Sequence, residues 1–405
     1  MRLLRSTLDE LGQITDEPGR LTRTFLSPAM ERAVRLVGRR LQDAGMDVKV
    51  DSVGNVIGLR KSKNPKARTL VLGSHLDTVR DAGRFDGPLG VLLPIVALSE
   101  LNARGIELPF HVEIVGFSEE EGVRFASAYL GSEGYAGRLK AATLALKDAG
   151  GVTVREAIRR FSGQALPRPR HRRSELLGYL EVHIEQGPVL EKENLAVGVV
   201  SAIAGQSRFR LTWTGRAGHA GTTPMALRRD AFAGAAEFAL TAELLARRTA
   251  GLVATVGTLT VAPGAANVIP GQAVHTLDVR HAKDATRQAA LLKLGRLAAQ
   301  IARRRGLKVN WQRTQDNGAT PCSPELTALL ARSVKAVQGR SLALVSGAGH
   351  DGVVMASLAP IAMLFVRCRD GLSHHPDEYA SPKDLRVALD VTIDFLQRLA
   401  DKVRP

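Results

Sequence analysis

Four short apolar runs, Thr69 to Leu72, His111 to Phe117, Tyr179 to Ile184 and Ala362 to Val366, each lead into polar, glycine-containing sequence. Short apolar runs between turn signals read as buried strands. Helical sequence lies between several of them; Leu89 to Arg104, apolar and alanine-rich, is one such segment. Strands alternating with helices predict an α/β fold around a mainly parallel sheet, with helices on both faces. Upstream, Ser27 and Pro28 supply an N-cap and a first helical residue, Val34, Val37, Leu41 and Ala44 recur at helical spacing, and Gly45 closes the helix. Val48 to Leu59 reads as strand.

The middle of the chain has a different order. Ser207 to Thr214 alternates polar and apolar residues, Asp230 to Arg248 and Arg287 to Arg305 read as helices, and Val253 to Val261 and Gln272 to Val279 read as strands. That order predicts a small α+β domain inserted into the larger one, with Gly205 near its entry and Asn317 to Pro321 near its exit. The expected division is residues 1–207 with 319–405, and 208–318 as the insertion.

Charge limits the function classes. The chain carries 56 Lys and Arg against 40 Asp and Glu, a net +16, which raises the question of nucleic acid. Aromatic residues for base stacking are only 4%, and the densest basic stretch, Arg168 to Arg173, sits between Pro167 and Ser174 like a surface loop. Nucleic acid is therefore not the expected partner; a positive field that draws in a small anionic substrate is. Met1 to Arg20 lacks the apolar stretch of a signal peptide, and no run approaches the roughly 18 apolar residues of a membrane span, so a soluble cytoplasmic protein is expected. Cys322 and Cys368 are too few for a disulfide framework and are expected free.

The polar segments just beyond the apolar runs carry the chemistry. Gly73-Ser74-His75-Leu76-Asp77-Thr78 comes after the first, and Gly83-Arg84-Phe85-Asp86-Gly87 comes soon afterwards. Ser118-Glu119-Glu120-Glu121-Gly122 comes after the second, His183 lies within Glu181-Val182-His183-Ile184-Glu185-Gln186-Gly187, and the last leads to Ser373-His374-His375-Pro376-Asp377-Glu378. Each piece alone has a bland explanation: a His at a strand end is usually a satisfied polar residue, and three successive Glu usually form a solvated face. Open α/β sheets, however, gather their ligands beyond the carboxyl ends of the strands, and five such segments agree. Imidazoles and carboxylates without thiolates suit zinc or manganese, and one carboxylate shared by two ions is the arrangement of dinuclear hydrolases. No G-x-S-x-G elbow is present.

The segments G-S-H-L-D-T-V, F-D-G-P-L-G-V, E-E-E-G-V-R-F, E-V-H-I-E-Q-G-P-V-L-E, G-H-A-G-T-T-P-M, N-V-I-P-G and S-H-H-P-D-E occur in that order. Together they resemble the aminoacylase and carboxypeptidase superfamily, in its branch that cleaves ureido and carbamoyl compounds: allantoate amidohydrolase, N-carbamoyl-L-amino-acid hydrolase and β-ureidopropionase. The resemblance implies two divalent ions, zinc or manganese, with Asp86 bridging them, His75 and His183 on one and Glu121 and His374 on the other. It implies Glu120 as general base, and Asp77 as the carboxylate that orients His75. His375 could compete with His374 for the ligand position; His374 is preferred because it directly follows Ser373, and Gly122 fixes the register of Glu120 and Glu121.

From the insertion, read as a lid and dimerisation domain, the resemblance implies His219 as the oxyanion donor. Arg280 would clamp a substrate carboxylate, Asn267 and Gln206 would hydrogen-bond the substrate amide and carboxylate groups, and backbone N–H groups around Gly349 would face the same anion. From the residues alone, His219 could equally cap a helix and Arg280 could pair with Asp278 or Asp284. The expected activity is hydrolysis of a small ureido acid, allantoate first and N-carbamoyl-L-amino acids next, by a homodimer. A non-catalytic relative that binds a ligand or nucleic acid is the competing class, and the presence of all five ligand positions and the base opposes it.

Overall fold

The computed structural model describes residues 1–163 and 170–404; Pro167, Arg168 and Pro169 of the basic stretch lie outside the described residues. The chain forms two compact units, Met1–Ser201 with Cys322–Pro405, and Ala202–Pro321. These junctions lie outside the expected 208 and 318 because the strands Gly205–Thr214 and Lys308–Asn317 belong whole to the smaller unit. Where the chain passes between units, Ala202 pairs with Pro321 and Ile203 with Thr320, antiparallel.

Four parallel strands form the middle of the large sheet, in the order His111–Phe117, Thr69–His75, Leu176–Ile184, Ile361–Val366. Antiparallel strands flank them: Val56–Arg60 and then Asp47–Val50 on one side, Val197–Ile203 on the other. The stretch Val48 to Leu59, read as one strand, is thus two. Asp51 causes the break, its Oδ1 accepting the N–H groups of Val53 and Asn55 and folding the chain back.

Alternation along the strands gives the sheet two unlike faces. Leu70, Leu72, Val112, Ile114, Leu180, Val182 and Leu364 pack in one apolar cluster with Leu36, Val37, Leu92, Leu389 and Leu396 from the long helices Pro28–Asp43, Pro88–Ala103 and Pro382–Val403. The helix Pro88–Ala103 is buried on every side from Pro88 through Leu98, as expected for a helix sandwiched inside the core. On the opposite face Glu113, Phe117, Glu181 and Phe365 meet short elements instead: Phe117 touches Tyr135, Glu181 accepts the N–H of Gly352, and Phe365 touches His350. This second face is polar and carries the functional groups.

Glu113 shows how that face tolerates charge. Its fully buried carboxylate accepts hydrogen bonds from Tyr135 Oη (2.6 Å) and Arg170 Nε (2.7 Å), and His171 Nε2 lies 3.2 Å away. Arg170 and His171 therefore turn inward, while Arg172 and Arg173 are exposed as expected of a surface loop: an unpaired buried carboxylate would be far costlier than ordering these two residues. Burial alone would raise this carboxyl, but the hydrogen bonds of His171 and Arg170, with the Arg170 charge, hold it at about 2. A depressed carboxyl stabilises the fold above its ordinary pKa and loses that contribution as pH falls. Glu113→Gln is expected to cost about 3 kcal/mol at pH 7, with the two proteins converging as pH falls from about 4.5 towards 2, read from urea unfolding across that range.

The small unit is a five-stranded antiparallel sheet, with Leu259–Ala262, Gln272–His281, Gly205–Thr214 and Lys308–Asn317 in that order and Val253–Thr255 also on Gln272–His281. The stretch Val253 to Val261 is thus interrupted rather than continuous. Gly205–Thr214 alternates buried and open positions, so one face is covered; the helices Ala231–Arg247 and Asp284–Arg304 contribute Phe238, Leu294 and Ala298 to the same cluster as Leu211, Trp213 and Leu277. Each unit's main apolar cluster is drawn from its own residues. Cys322 and Cys368 are free and buried, and among the described residues no helix is long and apolar enough to cross a membrane.

Candidate metal centre

The carboxyl ends of the parallel strands deliver the candidate ligands to one place. His75 ends Thr69–His75, opposite Phe117 in the neighbouring strand, and the acidic run starts two residues after Phe117. His183 sits one residue from the end of Leu176–Ile184, beside Phe365. Asp86 lies in the turn before the helix Pro88–Ala103, and Gly87 lets that turn close. Gly87 has φ +82°, and a Cβ there would fall 2.5 Å from Cε1 and Nδ1 of His75.

Asp86 is the hub. One oxygen lies 3.1 Å from His183 Nε2 and 3.8 Å from His75 Nε2; the other lies 3.1 Å from His374 Nε2. Glu121 is 3.6 Å from the same His374 nitrogen. Three sets of side chains are close enough to hold an ion: His75 with Asp86 and His183, Asp86 with Glu121 and His374, and His75 with Glu120 and Glu121. The last set makes Glu120 a potential ligand as well as a potential base. His375 points elsewhere, 3.7 Å from Asp377 and half exposed, so His374 is the ring that reaches the cluster.

The donor set fits divalent metal. His75 and His183 each set Nδ1 against a backbone carbonyl, of Asp77 (3.1 Å) and Ile184 (2.9 Å). In a neutral ring that bond fixes the proton on Nδ1 and aims the Nε2 lone pair at Asp86. A lone pair so placed, facing a carboxylate, is an arrangement that a divalent cation would complete. Asp77 adds the outer layer, lying 3.4 Å from His75 Nδ1 while accepting the N–H groups of Glu120 (2.9 Å) and Glu121 (3.1 Å). It thereby ties the His75 turn to the acidic run.

The electrostatics lead to the same conclusion. Burial and then the Asp86 charge push Glu121 up to about 9, and the same two causes push Glu378 up to about 7. Burial also raises Glu120 well above the usual carboxylate range, with Asp351, Asp77 and Asp86 adding to it. His374 is raised to about 9, chiefly by its bond to Asp86. So many crowded carboxylates call for added positive charge.

A scan of family models matches residues 71–398 to Peptidase family M20/M25/M40. The chain belongs to that family. This M20-family protein is 38% identical to allantoate deiminase 2 of Glycine max over 97% of its own length and 88% of the relative's. It is also 38% identical to an N-carbamoyl-L-amino acid amidohydrolase of Geobacillus stearothermophilus, over 97% of each chain. Among solved structures, an amidase of the hydantoinase/carbamoylase family from Burkholderia multivorans superposes with a TM-score of 0.93 at 34% identity, over 98% and 97% of the two chains.

Four residues of this M20-family protein were not singled out in the sequence. Gln186 donates to Asp86 Oδ2 (3.2 Å) from a left-handed backbone, φ +57°. Glu378 accepts the N–H groups of Phe85 (2.8 Å) and Asp86 (3.0 Å), and Ser373 bridges it to Asp86. Arg23, wholly buried, donates to Leu76 O (2.6 Å) and exchanges hydrogen bonds with Thr78, gripping the turn that carries Asp77. Tyr129 also holds a left-handed backbone, φ +69°, which costs a side chain of this size on the order of 1–2 kcal/mol and is the usual mark of a functional constraint. The segments H-I-E-Q-G and S-H-H-P-D-E contained the signal for Gln186 and Glu378; nothing local marked Arg23 or Tyr129. Glu119, by contrast, turns back to bracket its own loop through the N–H groups of Gly122 and Leu130.

The remaining candidates lie on the small unit. His219 is exposed, and its Nδ1 accepts the N–H groups of Gly221 (3.0 Å) and Thr222 (3.2 Å), leaving Nε2–H free to donate. Asn267 is its neighbour, with Asn267 O accepting the N–H of Ala220. Arg280 and Gln206 face each other across paired strands, and both bind Asp278, Arg280 with both prongs at 2.9 Å and Gln206 at 2.8 Å. Gly349 lies in the large unit, where the space beside its Cα is taken by Tyr129 and Glu120.

These shifts predict how metal removal behaves. A carboxyl or imidazole raised in the fold stabilises it below the ordinary pKa and loses that contribution as pH climbs through the raised value. Glu378, Glu121 and His374 all act in this direction, between about 4.5 and about 9. Chelator-stripped protein is therefore expected to melt at lower temperature as pH rises, and added divalent metal to raise Tm more at the alkaline end than at the acid end. Scanning fluorimetry at several pH values, with and without metal, checks both.

Proposed function

We propose that this protein hydrolyses a C–N bond of a small ureido acid, allantoate before all others, releasing ammonia and carbon dioxide. The observation that carries this reading is Asp86, with one oxygen 3.1 Å from His183 and the other 3.1 Å from His374. The choice of substrate draws on the relatives named above. N-carbamoyl-L-amino acids are the second reading, favoured by the Geobacillus relative.

In this proposal His75, His183 and Asp86 hold one divalent ion and Asp86, Glu121 and His374 the other, zinc or manganese. Bound there, such ions supply Lewis-acid polarisation of a carbonyl that two nitrogens make a poor electrophile. Glu120 takes a proton from the attacking water as the C–O bond forms, and returns it to the nitrogen as the C–N bond breaks. Asp77 keeps His75 oriented and the acidic run in register. His219 donates Nε2–H to the developing oxyanion. Arg280 clamps the substrate carboxylate, with Gln206, Asn267 and the backbone at Gly349 completing the polar contacts. The small unit also carries exposed Met225, Leu227, Leu240 and Leu292, which support its proposed role in a homodimer.

Arg280→Lys is expected to raise KM at least tenfold with little change in kcat, because an ammonium cannot reproduce the planar fork that would bind the substrate carboxylate bidentately; in the structure Nε and Nη2 both bind Asp278. An unchanged KM would remove Arg280 from the substrate site. The function itself is tested by ammonia release from allantoate and from several N-carbamoyl-L-amino acids, using manganese-reconstituted protein and a chelator control. The highest kcat/KM is expected on allantoate. Equal or better turnover of the carbamoyl amino acids would move the activity to the second reading, and silence on all of them would overturn both.

A further inference from the structure

We propose that the Tyr129 hydroxyl contacts the reacting ureido group beside Glu120, and that position 349 is glycine because the hydroxyl needs its space; this rests on the ureido-acid reading above. Three observations meet at Tyr129. Its backbone is held left-handed, φ +69°, with its N–H donated to Glu120 O (3.2 Å), so the ring is tied to the peptide of the base. Its hydroxyl lies where a Cβ on Gly349 would come within 2.1 Å of it, and that same point is 3.4 Å from Glu120 Oε1. The hydroxyl makes no hydrogen bond among the described residues, so its O–H is left for whatever lies beside Glu120.

Chemistry selects the group that it meets. The Tyr129 phenol presents an O–H donor beside Glu120, and the substrate carboxylate is already assigned to Arg280 in the reading above. A neutral ureido group has a carbonyl oxygen to accept from the phenol, and the acceptor strengthens as negative charge develops on it during water attack. The contact is thus worth most in the transition state. No bond to Tyr129 forms or breaks, and it carries no proton between groups.

Tyr129→Phe removes the oxygen alone. On allantoate it is expected to lower kcat roughly 100-fold, with KM changed less than about threefold, the acid limb of the pH–rate profile unmoved and bound metal equal to wild type. Gly349→Ala is expected to lower Tm by several degrees in the wild-type background and by much less in Tyr129→Phe, where the oxygen met at 2.1 Å is gone. A Tyr129→Phe kcat within twofold of wild type, or a loss that tracks lost metal, would overturn the contact while Glu120 and the ureido reading stand. An equal Tm loss in both backgrounds would overturn the pairing with Gly349. Wild-type protein silent on every ureido acid would overturn the underlying reading and the contact together, a result distinguishable from an active enzyme indifferent to Tyr129.

Discussion

Glu120→Gln is expected to keep its divalent metal and lose turnover by roughly a thousandfold, the usual scale for removing a positioned general base. The amide preserves the shape of the side chain and leaves the Asp77 bonds to the backbone of Glu120 and Glu121 untouched. Only proton transfer is removed. The same change relieves repulsion, because burial and neighbouring carboxylates hold the Glu120 carboxyl well above its ordinary range. Chelator-stripped Glu120→Gln should therefore melt above chelator-stripped wild type. Metal analysis beside steady-state kinetics decides the outcome. Since Glu120 also lies within ligand distance of His75 and Glu121, loss of metal in this variant would make it a ligand and move the base elsewhere.

Asp86→Ala should be more severe, abolishing both metal binding and activity, whereas His374→Ala should give up about one equivalent and retain the other. Asp86 is the one residue common to the set with His75 and His183 and the set with Glu121 and His374. Its loss also strands Gln186 and Ser373, which donate to it. Metal content after dialysis against a weak chelator separates the variants. Equal stoichiometry in the two would mean that Asp86 is not shared.

Local pattern accounts for much of what the sequence predicted. The parallel strands are continuous apolar runs because both of their faces are buried, and the polar residues just past them have little choice but to gather at one edge of the sheet. Gln186 and Glu378 stood within the motif segments, yet their importance lies in hydrogen bonds to Asp86, which belongs to another turn. Arg23 reaches Leu76 across 53 positions and Arg170 reaches Glu113 across 57, so no window of sequence contains either pair. Asp51 broke an apparent strand through its own side chain, an effect that apolar periodicity ignores. Arg280 and Asp278, two apart on one strand and therefore on the same face, were a pairing that the sequence did offer.

The pairing of Ala202 with Pro321 bears on how the chain reaches this state. The strand Ile361–Val366 must find Leu176–Ile184 across the whole insertion, a separation that would make the large sheet slow to nucleate. Once the small unit has folded around its own cluster, positions 202 and 321 are neighbours, and about 120 residues count as a hairpin turn. Loop-closure entropy grows as the logarithm of length, so shortening the intervening chain about threefold reduces the cost of pairing these two strands by about 1 kcal/mol. Synthesis favours the same order, because the insertion leaves the ribosome before the last parallel strand does.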